Sequence, residues 1–299
     1  MNRCKKTIAI ILVLILALGM TACSGAESQL AKATTKMQKL KDFRMDLDLD
    51  LGMNVTMFGE AMDMDMTMTG TGEFITNPVK GKMDLTITAM DEAQKLLCYL
   101  DRDGNDLNIY TSSDDGKTWS KSKADASRFP ESGVDKESLA WMEKIAATFE
   151  ETGTETVRGS EVVVYSGVIS MADFGEKMDL GEILGNVNEP MDVQIDWSAI
   201  NLSSISDIPL TLCIDKKSGM IVKYTMDMTS MMQDLMPAII QTVMASSMGD
   251  ADLGGMDLSM LGFEFNFSKL VVTAVLYDFD SVGEITLPPE ALAAKPLIN

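Results

Sequence analysis

The chain has 299 residues, of which 45 are acidic, 25 are basic and none is histidine, and its formal net charge is −20. This charge excludes nucleic acid as a partner, because binding to phosphates requires a basic surface. The lack of histidine removes the commonest general base and the commonest metal ligand, so an enzyme would have to work with carboxylates, lysine or tyrosine alone. We expect no enzyme, no cofactor and no metal site.

The first 22 residues have the parts of an export signal. Three basic residues lie between positions 3 and 6, and an apolar run from Ile8 to Leu18 follows them. This run is far shorter than the roughly 20 residues of a membrane span. The sequence Met20-Thr21-Ala22-Cys23 resembles the lipobox of bacterial lipoproteins, although Met20 stands where leucine is usual. The resemblance implies cleavage before Cys23 and a diacylglyceryl group on its thiol, built from fatty acids such as palmitate.

An ordinary secretory signal and an uncleaved anchor are the alternatives to a lipoprotein signal. Loss of residues 1–22 removes three basic and no acidic residues, so the mature chain has a formal charge of −23. Such a chain is not attracted to anionic headgroups, and an acyl anchor is needed to hold it at a membrane. We therefore expect attachment to the outer side of the plasma membrane through diacylglyceryl-Cys23.

Residues 23–29 are predicted to be a short lipidated tether, and residues 30–299 are predicted to be one domain. No proline-rich linker or sustained polar tract divides this region, although its length also allows two domains. At its start, apolar residues from Leu30 to Leu40 recur at helical spacing. They predict an amphipathic helix that ends near Asp42.

The next region alternates between apolar and polar residues. From Met45 to Met57 every odd position is apolar, which predicts a strand with one apolar face and one acidic face. The same pattern returns at 62–69 and 83–88. Further strands are predicted at 95–101, 106–112 and 117–122, with turns at Asp103-Gly104 and Asp115-Gly116. Long strands joined by hairpins predict a large antiparallel sheet that curls.

The second half of the chain mixes helices and strands. Apolar spacing predicts helices at 139–149 and 171–186 and an apolar helix around 232–244 that starts or kinks at Pro237. The stretch 190–207 is ambiguous, and a loop rich in glycine and aspartate covers 249–257. The predicted strands are 154–158, 161–170, 208–215, 219–228, 262–279 and 284–287, with turns at Arg158-Gly159 and Lys217-Ser218-Gly219.

Two cysteines remain beyond the lipobox, Cys98 and Cys213, and both lie in apolar runs that are typical of strands. We expect two buried free thiols that behave as small apolar side chains. A single disulfide between them is the alternative in an exported protein.

The acidic rows of the alternating strands have two interpretations. Asp46, Asp48 and Asp50 point to one face and offer oxygen ligands for calcium. A solvated outer face that keeps the sheet soluble is the favoured interpretation. The stretch Asp101–Asp106 begins like a calcium loop, but Asp106 occupies the position where that loop requires glycine, so we expect a hairpin turn.

The order of these elements resembles the LolA-like fold of the LolA, RseB and LppX/LprG types, and especially an anchored branch in Gram-positive bacteria. The likeness spans most of residues 30–290. It implies an α+β fold in which a large curled antiparallel sheet, an open half-barrel, has its concave apolar face covered by helices. It rests on the lipobox, the Met/Asp strands at 45–68, Tyr110–Trp119, Ile208–Gly219 and Tyr277–Ile285. Characterised members hold acyl chains in the cavity of the half-barrel.

The pattern and the resemblance together predict a ligand groove on the apolar face. Methionine outnumbers all aromatic residues, 26 against 18, and its unbranched, polarizable side chain suits varied apolar ligands. A plain hydrophobic core built from methionine is the alternative. The predicted groove residues are Met45, Leu47, Leu49, Met64, Met66, Met68, Leu85 and Ile87. The predicted lid residues are Ile183, Leu184, Met236, Ile239 and Ile240.

We therefore expect a non-catalytic, membrane-anchored lipoprotein outside the cytoplasm whose groove binds a lipid or another apolar molecule. The alternative is an RseB-like signalling or scaffold lipoprotein with a filled core that binds a membrane or envelope protein. A carboxylate hydrolase is disfavoured, because the spacing singles out no pair of facing carboxylates.

Overall fold

Eleven strands form one antiparallel sheet in the computed structural model, which describes residues 26–57, 59–90, 92–125, 145–172, 200–248 and 263–294. The strands are β1 (Asp42–Met57), β2 (Glu60–Thr76), β3 (Val79–Ala89), β4 (Glu92–Asp103), β5 (Asp106–Ser112), β6 (Ser120–Asp125), β7 (Glu150–Val157), β8 (Ser160–Ile169), β9 (Ile208–Asp215), β10 (Ile221–Asp227) and β11 (Phe263–Tyr277). The helices are α1 (Ala26–Met37), α2 (Thr229–Met248) and α3 (Pro289–Leu292), and a 3₁₀ turn covers Leu202–Ser204. No helix within these ranges has the length and hydropathy needed to cross a membrane.

The sheet consists of two meanders that meet at its centre. One runs from β1 to β6 and the other from β7 to β11, and β1 pairs with β11, so the strand order is β6-β5-β4-β3-β2-β1-β11-β10-β9-β8-β7. The edges of the sheet are β6 and β7, which leaves the sheet open. This is the large antiparallel sheet of an α+β half-barrel that the sequence predicted.

Tight turns join neighbouring strands where the sequence placed them. Arg158 and Gly159 connect β7 to β8 with φ angles of 46° and 82°, and glycine adopts such positive values without a steric penalty. The calcium-like stretch forms the predicted hairpin between β4 and β5, in which Gly104 has a φ of 60°. The turns at β2–β3 and β9–β10 lie at one end of the sheet, which we call the base. The hairpins β1–β2 and β3–β4 lie at the opposite end, which we call the rim.

The alternating pattern separates the two faces of the sheet. On β1 the odd positions from Phe43 to Leu49 are buried, whereas Asp48 on the other face is exposed. The apolar face, its continuation on the neighbouring strands, and buried residues of α1 and α2 form one main core. Leu30 and Ala33 of α1 are completely buried in it. The two helices therefore cover part of the apolar face, as the resemblance implied.

Several boundaries differ from the predictions. Helix α1 begins at Ala26, inside the predicted tether, and ends at Met37. Helix α2 begins at Thr229, where the Asp227 carboxylate accepts a hydrogen bond from the Thr229 N–H at 3.0 Å, and Pro237 lies within it. Strand β6 spans Ser120–Asp125 instead of 117–122. Predictions for 139–144, 173–199 and 249–257 lie outside the described residues.

The predicted strand at 284–287 is wrong, because this segment pairs with no strand. Its apolar side chains Ile285 and Leu287 instead pack on the outer face of the sheet against Tyr99 and Tyr110. In this segment every second side chain packs into this outer apolar cluster and the others face solvent. The sequence pattern is therefore that of a strand although no strand forms.

Both described cysteines are free and buried, as expected. Cys98 belongs to the main core, whereas Cys213 belongs to a small cluster with Val157 and Val162 on the other face of the sheet. Because the thiols point to opposite faces, they do not form a disulfide. Burial raises the pKa of each thiol to about 12, and Cys213 also donates a hydrogen bond to Glu155 at 3.2 Å.

We expect the free energy of unfolding to fall above pH 9. A thiol with a pKa raised in the folded state stabilises the protein fully below the unfolded pKa, and this contribution is lost as the pH rises towards the folded value of about 12. For Cys98 the loss is about 1.4 kcal/mol per pH unit in this window. Urea unfolding at pH 8, 9 and 10 should therefore show that the free energy of unfolding falls less with pH for Cys98→Ala than for the unsubstituted chain. Parallel pH dependences for the two proteins would contradict the assignment.

Candidate ligand groove

Burial of the apolar face decreases along β2 from the base towards the rim. Met68 is 3% exposed, Met66 and Met64 are half-buried, and Met62 is 49% exposed. On the neighbouring strand Met45 is completely buried, whereas Leu51 is half-buried. The apolar face is therefore filled near the base and becomes more accessible along β2 towards the rim, although Val55 and Phe267 of the neighbouring strands remain buried there.

The strand register explains this change in burial. Pairing of β2 with β3 ends where Met66 lies opposite Ala89, and pairing of β10 with β11 ends where Asp227 lies opposite Val271. Beyond these positions β2, β1 and β11 continue together to the β1–β2 hairpin. We call this three-stranded extension the projection and define it as Met53–Met57, Glu60–Asp65 and Phe263–Phe267. The projection has no β3 or β10 beside it, so fewer side chains from neighbouring strands surround its apolar face.

Helix α2 flanks the edge of β11 that β10 leaves unpaired. The Leu270 N–H donates to the Thr229 hydroxyl at 2.8 Å, at the start of the helix. One turn later the Gln233 side chain donates to the Phe265 carbonyl at 2.7 Å and accepts from the Phe267 N–H at 2.6 Å. The Gln233 amide thus replaces a neighbouring strand, since unpaired strand groups must find hydrogen-bonding partners elsewhere. These contacts fix α2 beside the projection.

A half-buried apolar surface lies between the filled core and the rim. Cross-strand pairing places Leu51 beside Met66, and Met53 beside Met64. We use the name accessible patch for the half-buried apolar residues of these elements, namely Leu51, Met53, Met64, Met66 and Ile87 of the sheet and Met232, Met236, Ile239 and Ile240 of α2. Of these, Leu51, Met66, Ile87, Met232 and Ile239 pack against the main core.

The eight predicted groove residues share one face of the sheet but differ in accessibility. Five are buried with at most 3% of their surface exposed, namely Met45, Leu47, Leu49, Met68 and Leu85. Three are half-buried and belong to the accessible patch, namely Met64, Met66 and Ile87. The predicted lid residues Met236, Ile239 and Ile240 are half-buried on α2, whereas Ile183, Leu184 and Cys23 lie outside the described residues.

The prediction omitted Leu51 and Met53 of β1 and Met232 of α2. The signal for the first two was present, because they continue the alternation of Met45 and Leu49 along the same strand. Met232 could not be recognised in this way, because only the position of α2 beside β11 brings it to the accessible patch.

The acidic outer face is held by ion pairs. Asp46 accepts hydrogen bonds from Arg158 at 2.7 Å and from the Tyr277 hydroxyl at 2.8 Å, and the Arg158 guanidinium stacks over the Tyr277 ring at 3.6 Å. Burial and the hydrogen bond to Asp46 raise the pKa of Tyr277. Asp50 pairs with Lys269. These carboxylates thus have separate basic partners, which agrees with the predicted solvated face.

A shallow recess of about 540 Å³ lies on this outer face, lined by Asp46, Asp48 and three threonines of the neighbouring strands. Within the described part of the chain, no three acidic or cysteine side chains are arranged to hold a metal ion. The Glu155–Lys223 ion pair at 3.0 Å and the hydrogen bond between them lower the pKa of Glu155. These ion pairs join the β7–β8 hairpin to β1 and β10 on the outer face of the sheet.

Comparison with known proteins gives one family and several structures. Residues 25–252 match the model of DUF6612, a family of unknown function. No curated protein matches the sequence.

The matched structures are distant from this chain in sequence. They include the lipoprotein LppX of Mycobacterium tuberculosis, with 11% identity, a TM-score of 0.40 and coverage of 87% of this chain and 97% of LppX. LprF of Mycobacterium bovis is 12% identical with a TM-score of 0.39, and the match covers 91% of this chain and 99% of LprF. A domain described as an outer membrane lipoprotein-sorting protein from Vibrio parahaemolyticus is 10% identical with a TM-score of 0.19, covering 84% and 92%. The open antiparallel sheet itself is established by the strand order.

Proposed function

This chain belongs to DUF6612, a family of unknown function, and we propose that it is an anchored envelope lipoprotein that binds an acyl chain or another apolar molecule without catalysis. The anchor is diacylglyceryl-Cys23, and the location is the outer side of the plasma membrane of a Gram-positive bacterium. The binding surface is the accessible patch between the sheet and α2.

The observation that carries this function is the half-buried apolar surface at the open part of the face. Leu51, Met66 and Ile87 pack against the core on one side and remain accessible on the other. Covering such surface is favourable by about 25 cal/mol per Å², and each buried methylene of a ligand contributes about 0.8 kcal/mol. The unbranched methionine side chains can adapt to a flexible chain. The patch therefore suits an acyl chain better than a rigid polar molecule.

The same surface favours binding over catalysis. All the residues of the accessible patch have apolar side chains, so none of them can donate or accept a proton. The ion pairs Asp46–Arg158 and Glu155–Lys223 lie on the opposite, outer face of the sheet. A ligand in the groove is thus held and shielded from water but not transformed.

Extraction of the purified chain with organic solvent tests this function. The chain is recovered from membranes in a mild detergent, and mass spectrometry of the extract is compared with that of the detergent alone. We expect an acyl-containing species in a molar amount similar to that of the protein. An extract without such species would refute the groove.

The filled part of the apolar face supports a second candidate, the RseB-like scaffold. Five of the predicted groove residues are buried near the base, so a ligand would reach them only by displacing their cover. An empty extract together with a specific crosslink to one envelope protein would favour this candidate.

Replacement of Cys23 tests the anchor directly. Cys23→Ala should abolish incorporation of labelled palmitate into the chain, because its thiol is the proposed attachment point and two acyl chains are needed for stable anchoring. Cys4→Ala is the matched control, because Cys4 lies in the signal and should not affect labelling. Equal labelling of the two variants would contradict attachment at Cys23.

A further inference from the structure

We propose that hydroperoxides oxidise the methionines of the accessible patch to sulfoxides, and that this modification releases the apolar molecule held there. The modified residues that carry the effect are Met53, Met64 and Met66 of the sheet. This inference deepens the proposed function and rests on it, because release requires a bound ligand. The patch is then both the binding surface and a redox-sensitive switch.

The first observation is the range of solvent exposure among the methionines of the first three strands and their turns. Met62 near the rim is 49% exposed, and Met90 in the β3–β4 turn is 69% exposed. The three methionines that the sheet contributes to the accessible patch are half-buried. The buried methionines of the same face, with at most 3% of their surface exposed, are Met45, Met68 and Met83. Because a dissolved oxidant reacts with exposed sulfur first, it modifies the patch and spares the core.

The second observation is that the described residues offer no reactive thiol that competes for the oxidant. Cys98 and Cys213 are both buried. Burial raises the pKa of each thiol to about 12, so both are protonated at neutral pH, whereas the thiolate is the form that reacts. Within the described ranges, the exposed and half-buried methionines are therefore the sulfur atoms that a dissolved oxidant meets first.

The chemistry is the transfer of one oxygen atom. The thioether sulfur attacks one oxygen of hydrogen peroxide, an S–O bond forms and the O–O bond breaks. The hydroxide that leaves takes the proton of the transferred oxygen and becomes water, so the sulfur is oxidised by two electrons and the peroxide is reduced by two. Hydrogen peroxide is uncharged at neutral pH, and the formal net charge of −20 therefore does not repel it. Reductases specific for the two sulfoxide epimers reverse the reaction.

Oxidation changes the patch from apolar to polar. Met53 lies opposite Met64, and Met66 follows two residues later on the same strand, so the three side chains are neighbours on one face. Each sulfoxide oxygen is a hydrogen-bond acceptor, and the side chains of the accessible patch include no donor. An acyl chain that covers these oxygens removes them from water without a partner, which lowers its affinity about tenfold or more. The ligand is therefore released, whereas the fold persists because the core methionines are not modified.

Peroxide treatment of the lipidated chain in mild detergent tests this switch. After removal of the peroxide with catalase, peptide mapping by mass spectrometry gives the sulfoxide fraction at each methionine, and an organic extract gives the acyl content per protein. Circular dichroism and the urea midpoint check that the chain remains folded. We expect Met64 and Met66 to be oxidised about tenfold faster than Met45, and the acyl content to fall about tenfold as they are modified.

Two sets of leucine substitutions identify the residues responsible. One variant combines Met53→Leu, Met64→Leu and Met66→Leu, since leucine has a similar volume and no sulfur to oxidise. The matched control combines Met62→Leu and Met90→Leu, which removes the most exposed thioethers but none from the accessible patch. Each variant is compared with its own untreated sample. We expect peroxide to release the ligand from the control as from the unsubstituted chain, and to leave most of it on the triple variant.

The outcomes separate the switch from the proposed function. Retention of the acyl species by a folded chain whose Met64 and Met66 are oxidised would overturn the switch and leave the proposed function intact. Equal release from the triple variant and from the control would overturn it as well, because the effect would not pass through these sulfur atoms. An untreated extract without acyl species would instead refute the proposed function, and the switch with it.

Discussion

Met66→Lys should lower the amount of acyl species that co-purifies with the chain by about tenfold or more. Met66 is half-buried in the accessible patch and packs against the core, so a lysine there places a charge against the ligand. Desolvating a charged group without a partner costs several kcal/mol, and each 1.4 kcal/mol is about a tenfold loss of affinity. The measurement is mass spectrometry of the extract, normalised to the protein recovered.

The fold should survive this substitution in the ligand-free chain, because a lysine at a half-buried position can direct its ammonium group to solvent. The charge is desolvated only when a ligand covers the patch. Circular dichroism and the urea midpoint check this point. Leu292→Lys is the matched control, since it adds the same charge at an exposed apolar residue remote from the groove. Met66→Leu, which preserves the apolar surface and nearly the volume, should retain the ligand. Full retention by Met66→Lys in a folded chain would refute the groove.

Met45→Ala should lower the free energy of unfolding by about 2–5 kcal/mol, as expected for the loss of a fully buried methionine side chain. Met45 has no exposed surface, and its sulfur lies 3.9 Å from the Tyr224 hydroxyl in the core. Met66→Ala, on the same face of the sheet, should cost less than about 1.5 kcal/mol in the ligand-free chain, because its side chain is already partly exposed to water.

Urea unfolding of the ligand-free variants measures this difference. The two substitutions remove the same atoms from neighbouring strands, so their comparison reports the environment and not the residue type. A cost for Met45→Ala no greater than that for Met66→Ala would show that the base of the face is not solidly filled. The division into a filled part and an accessible part would then be wrong.

The strands were largely predictable because their signal is local. The alternation from Met45 to Met57 requires only that one face of a strand be apolar, and β5 and β9 have the bounds expected from the pattern. Turn residues added a second local signal, as at Arg158-Gly159. The strand predicted at 284–287 was wrong because the prediction used the same local alternation. In this segment the alternating side chains pack on the outer face, and the backbone forms no ladder of hydrogen bonds with a strand.

The accessible part of the predicted groove could not be separated from the filled part by pattern. Met45 and Met66 look equivalent in the alternation, yet one is completely buried and the other is half-buried. The difference arises from where β3 and β10 stop pairing and from the position of α2 beside β11. These are contacts between residues far apart in the chain, which no local period contains.

Local chemistry in the amino-acid order was thus sufficient to predict the apolar and acidic faces, the hairpins and the large antiparallel sheet. The pairing of β1 with β11 and the length of the projection came only from long-range packing. The physical reason is that side-chain alternation specifies which face of a strand is buried, but not what covers it. Whether an apolar face becomes core or groove depends on that cover.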